Sequence, residues 1–137
     1  MELPPGIIEA FQEARVVFLV TYGPAGELRS RQMVNFNSDP SRMLWFTTYT
    51  KTRKVDDIKR DPRAIVTFPA KEKNSHYEIY GIAELEKQSV VDEKWVWWYL
   101  AWHPEEKDKY WFPHTGTHPE RVIINVYPQK AMLVNNK

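Results

Sequence analysis

Six runs rich in β-branched and aromatic residues, "RVVFLVTY", "ELRSRQMVNFN", "MLWFTTYT", "PRAIVTFPA", "HYEIYGIAELEKQ" and "RVIINVYPQKAMLV", constrain this chain more than any other feature. Short breaks such as "GPAG", "SDPSR" and "KEKNS" separate them. The "GPAG" break between the first two runs reads as a hairpin turn. The pattern predicts a mainly β fold of about six antiparallel strands, closed or partly closed into a small barrel. An open antiparallel sheet with helices on one face fits the same periodicity. At 137 residues the chain suits one domain, residues 1–137.

Three helical stretches interrupt the strands. "PPGIIEAFQEA" sets prolines before Ile7, Ile8 and Phe11, which predicts a short amphipathic helix starting near Pro5. "TRKVDDIKRD" reads as one or two turns after the third strand. Val91, Trp95, Trp98 and Trp102 fall on one face of a helix predicted over 90 to about 102, with a capping-box-like spacing from Ser89 to Asp92. Residues 103–120 read as irregular. Gly81 marks a bulge or close backbone approach within a long strand, and Pro128 a break or bulge in the last one.

Composition removes whole classes of function. With no cysteine, disulfides, thiolate zinc sites, iron–sulfur clusters and thiol catalysis are excluded. The net charge of +1 gives no support to a nucleic-acid partner, and Asp56, Asp57 and Asp61 interrupt the basic cluster around Lys51 to Arg63. No apolar run reaches the roughly 20 residues of a membrane span, and the start lacks the pattern of a signal peptide, so the expectation is a cytoplasmic protein with no membrane partner. His114 and His118 are four apart, but "PHTGTHP" would not hold them on one helical face, and no metal site is expected.

Any anion site must then be local. A period of two puts Arg29, Arg31 and Met33 on one face of "LRSRQMV", with same-face neighbours about 6.6 Å apart. Charged residues that guard a strand edge would look the same. The next strand adds a second set, because "FTTYTKTRK" runs into a helical turn at Thr52, where unpaired amides meet Arg53 and Lys54. Amides, hydroxyls, a guanidinium fork and an ammonium together suit the acceptor oxygens of a phosphate.

The order of strand, threonines, "TRK", a short helix ending "DIKRDPRA" and the strand "IVTF" resembles the FMN-binding split barrel of the pyridoxamine-phosphate-oxidase-like superfamily. "RSRQM" is similar to its first flavin-contacting strand. "YWFPHTG" and the tail "VYPQKA" look like the short branch related to general stress protein 26. The match is most specific over residues 29–68.

The resemblance implies that Thr52, Arg53 and Lys54 hold the flavin phosphate. Arg29 joins them as a cofactor-binding residue, Arg31, Gln32 and Met33 border the isoalloxazine, and Thr47 and Thr48 line the ribityl chain. It further implies a homodimer with the flavin at the interface, completed by Trp111, and places His76 near the ring. His76 and Tyr77 are the nearest candidates for a proton donor, although both also suit a structural strand. The oxidases' C-terminal substrate-recognition segment has no counterpart in the sequence, so vitamin oxidation itself is not expected. The activity implied is an FMN-dependent oxidoreductase passing electrons from a reduced nicotinamide nucleotide to an acceptor. A flavin-binding sensor without turnover and an F420-dependent reductase are the alternatives.

Overall fold

The structure, a computed structural model, describes residues 1–94 and 121–135. Helix α1 (Ile7–Glu13) starts just after the two prolines and buries Ile7, Ala10 and Phe11. Strands β1 (Val16–Tyr22) and β2 (Leu28–Val34) form an antiparallel hairpin in register from Val16 opposite Val34 to Tyr22 opposite Leu28. Gly26 closes its turn at φ 81°, a left-handed conformation that glycine adopts without a steric penalty. Strand β3 (Leu44–Tyr49), helix α2 (Arg53–Arg60), β4 (Arg63–Pro69), β5 (Ser75–Leu85) and β6 (Arg121–Asn135) follow.

The six strands form one antiparallel sheet in the order β2-β1-β4-β5-β6-β3. This is the split β-barrel that the sequence predicted as one of two possibilities. Among the described residues strands β2 and β3 are its two edges. The inward faces of the strands bring Val17, Leu19, Met33, Phe46, Phe68, Ile79 and Ile124 into a single core that Phe11 of α1 joins. Among the described residues no helix is long and apolar enough to cross a membrane.

Gly81 lies at a register shift between β5 and β6, and a Cβ there would stand 2.6 Å from the Tyr127 carbonyl oxygen. Tyr80 faces Lys130 whereas Gly81 faces Pro128, so the extra residue is Gln129. Both expectations, at Gly81 and beside Pro128, meet in one bulge.

The late helix begins earlier than the sequence predicted. Its described part covers 88–94, so Ser89 sits inside the first turn and does not cap it. Gln88 Nε2 instead donates to Asp92 Oδ1 at 2.9 Å. The Trp95, Trp98 and Trp102 stripe and the irregular segment 103–120 lie outside the described residues.

Candidate functional site

The cationic residues predicted on β2 converge on helix α2. Arg29 and Arg31 face the same way as buried Met33, as alternation requires, and stand opposite Thr21 and Leu19 of β1. Helix α2 lies over this end of the barrel with Val55 and Ile58 buried, and the same face carries Asp57 into the interior at 1% exposure.

A carboxylate so deep must be compensated, since desolvation of an ion is costly. Asp57 Oδ1 accepts from Arg60 Nη2 at 2.7 Å and from Arg29 Nη1 at 3.4 Å. Its Oδ2 accepts from Thr21 Oγ1 at 2.8 Å and stands 3.9 Å from Arg31 Nη2. Burial by itself pushes this carboxyl up, but the Thr21 and Arg60 hydrogen bonds and the Arg29 charge together hold it below the ordinary carboxylate range. Arg31 Nη1 also donates to Thr21 Oγ1 at 2.7 Å and to the Leu19 carbonyl at 3.2 Å.

Three guanidiniums thus surround Asp57, and with Glu27 Oε2 3.8 Å from Arg29 Nη2 as a second carboxylate the cluster still keeps a net positive charge. Lys54, three residues before Asp57, adds to the excess. It is half-buried and makes no ion pair among the described residues, and burial together with the nearby Arg31 charge lowers its pKa. Burial likewise lowers that of Arg31. Thr52 is the N-cap residue of α2, yet its hydroxyl donates back to the Tyr49 carbonyl at 2.9 Å, and no side chain caps the helix. The first-turn amides, Lys54 and exposed Arg53 therefore form a donor set that fits a phosphate group.

The remaining predicted residues are less concentrated. Gln32 is exposed on the opposite face of β2 from Arg31. Thr47 and Thr48 point to opposite sides of β3: Thr48 is buried with the inward Phe46, and Thr47 shares the outer side with Trp45. His76 lies on the outer side of β5, two places from β3 in the strand order and opposite Pro69 of β4, with its Nε2 3.4 Å from Glu78 Oε2. Tyr77 points inward and donates to the Pro5 carbonyl at 2.8 Å, which gives it a structural role. Trp111, His114 and His118 lie outside the described residues, and among the described residues no group of acidic or histidine side chains could hold a metal ion. A cavity of about 550 Å³ lies elsewhere, between Pro5, Glu9, Lys71 and Leu133, and includes none of the predicted cofactor residues.

Sequence reasoning read Asp57 only as a charge that dilutes a basic cluster. Its place beside Val55 and Ile58 was the available signal, because these apolar residues mark the buried face of α2.

The family model for "Pyridoxamine 5'-phosphate oxidase like" proteins matches residues 5–136. No curated protein matches the chain. Among solved structures it resembles a pyridoxamine 5'-phosphate oxidase-related, FMN-binding protein from Nostoc punctiforme, at 17% identity over 98% of this chain and 87% of that one, with a TM-score of 0.70. It also resembles general stress protein 26 from Bacillus anthracis, at 23% identity, 96% and 93% coverage and a TM-score of 0.66. An F420 reductase is similar at 21% identity, 95% and 98% coverage and a TM-score of 0.68. At these identities the likeness is one of fold.

Proposed function

Because this chain belongs to the pyridoxamine 5'-phosphate oxidase-like family, we propose that it binds FMN non-covalently and acts as a flavin-dependent oxidoreductase. The observation that carries this reading is Lys54, a half-buried cation with no ion-pair partner among the described residues, lying near Arg31 at the uncapped start of α2. Two like charges held together in partial burial are costly until an anion arrives. A phosphate dianion would remove that cost.

Lys54 and Arg53 would bind the phosphate by charge, and the first-turn amides of α2 by directed hydrogen bonds. Arg31, which the resemblance sets at the isoalloxazine, lies near Lys54 and would instead add its charge to the phosphate from β2. When bound, the flavin supplies hydride chemistry that no side chain here provides, and the protein contributes anchoring and orientation. A reduced nicotinamide nucleotide is the proposed electron donor. The working form is proposed to be a cytoplasmic homodimer, with exposed apolar residues such as Val16, Leu28 and Tyr127 available for an interface. An F420 cofactor is the second reading, favoured by the likeness to an F420 reductase.

The test is an absorption spectrum of purified protein, then titration of the stripped protein with FMN, riboflavin and F420. Tighter binding of FMN than of riboflavin supports the cradle. Preference for F420 transfers the site to the deazaflavin, and binding of none of the three overturns the reading. Faster bleaching of the bound flavin by NADH or NADPH than of free FMN would separate an enzyme from a sensor.

A further inference from the structure

We infer that Thr21 and Asp57 are a positioning pair that aims Arg31 at the phosphate end of the site and so sets its preference for phosphorylated over unphosphorylated flavin. This deepens the FMN reading and rests on it.

The hydrogen-bond inventory is directional. A threonine hydroxyl has one hydrogen, and Thr21 gives it to Asp57 Oδ2, so its lone pairs are left to accept from Arg31 Nη1. Thr21 is fully buried, and no water can replace it without rearrangement. Arg31 Nη1 spends its hydrogens on Thr21 and the Leu19 carbonyl, and Nη2 is turned toward Asp57. Nε and Nη2 make no hydrogen bond among the described residues, so the guanidinium is held through Nη1 yet still has donors to offer. A long, rotamer-rich side chain is thereby ordered before any ligand arrives, which lowers the entropic cost of binding.

Asp57 itself is held on both oxygens. Three hydrogen bonds reach it, from Arg29 and Arg60 on Oδ1 and from Thr21 on Oδ2, and Arg31 Nη2 stands 3.9 Å from Oδ2 as an ion-pair neighbour. Its charge is outnumbered three to one by those guanidiniums, so it orders them without cancelling the field. Because Asp57 belongs to α2 and Thr21 and Arg31 to the β1–β2 hairpin, the pair also fixes the distance between the Arg31 guanidinium and the Arg53–Lys54 cradle.

The experiment is titration of stripped full-length protein with FMN and with riboflavin for wild type, Thr21→Val, Thr21→Ser, Asp57→Asn, Arg31→Ala and the Thr21→Val/Arg31→Ala double variant, with thermal unfolding of each. Thr21→Val is nearly isosteric and leaves every charge in place. The expected result is FMN binding weakened about tenfold with riboflavin binding unchanged, which matches loss of one charge-assisted contact. Thr21→Ser should restore it, and Thr21→Val should cost nothing further once Arg31 is alanine. Asp57→Asn should act in the same direction, and if it does not fold, the Thr21 variants decide. An unchanged ratio of FMN to riboflavin affinity in Thr21→Val, including equal loss of both, overturns the positioning role. Wild-type protein that shows no preference for FMN overturns the cofactor reading and this inference with it.

Discussion

Asn37 pairs with the backbone of Trp45 as though it were a strand residue: Trp45 N donates to Asn37 Oδ1 at 3.0 Å, and Asn37 Nδ2 donates to the Trp45 carbonyl at 3.1 Å. Among the described residues strand β3 pairs only with β6, so these groups would otherwise offer a template for another chain. Asn35 extends the arrangement, accepting from the Asn37 amide at 3.0 Å and donating to the Ala14 carbonyl at 2.9 Å beyond the end of α1. Asn37→Ala should lower stability by about 1 to 2 kcal/mol in urea unfolding, since two backbone groups lose their partner. An unchanged midpoint would mean that water replaces the amide without cost.

Arg53→Ala combined with Lys54→Ala should retain little FMN while keeping its fold. Arg53 is exposed, and Lys54 is disfavoured by its own burial, so neither contributes much to stability. Circular dichroism should show an unchanged fold, and FMN affinity should fall by more than about tenfold. Undiminished affinity would place the phosphate elsewhere.

FMN affinity should follow a bell-shaped pH profile. Its acid limb comes from protonation of the phosphate dianion, near pH 6 for a phosphate monoester. The alkaline limb comes from Lys54, whose pKa before binding lies below the ordinary 10.5. Bound phosphate favours the ammonium, so affinity falls as pH rises through that lowered value. Titrations across pH 5 to 11 in wild type and Lys54→Met check this, with the alkaline limb reduced in the variant.

Gly81→Ala should be destabilising without any demand on φ. The added Cβ would meet the Tyr127 carbonyl oxygen at 2.6 Å and a Val126 methyl at 2.9 Å, so the bulge must move. Overpacking of this kind costs about 1 to 3 kcal/mol. Thermal unfolding reads it directly, and a neutral result would show that β6 yields freely at Gln129.

Asp57 should also shape acid unfolding. Its folded-state pKa is held below the ordinary 3.8, so its stabilising contribution is complete above that value and is lost as pH falls through the lowered one. Asp57→Asn should be less stable than wild type at neutral pH, and the gap should narrow below about pH 4. A constant difference down to pH 2 would contradict the assignment.

Much of this molecule was written in local sequence. Alternation fixed which side of β2 bears Arg29, Arg31 and Met33, proline placed the start of α1, and Gly81 announced the bulge, because each depends on neighbours within one strand or turn. The start of α2 at Thr52 and Arg53 was equally legible, since it follows directly on the end of a strand pattern. The order that leaves β2 and β3 as opposite edges was not, nor was the conversion of Asp57 from a surface charge into the buried partner of three arginines. Strand pairing and charge compensation are set between residues tens of positions apart. No period along the chain encodes which distant group will share a desolvated space, and only packing α2 onto the β1–β2 hairpin decided it.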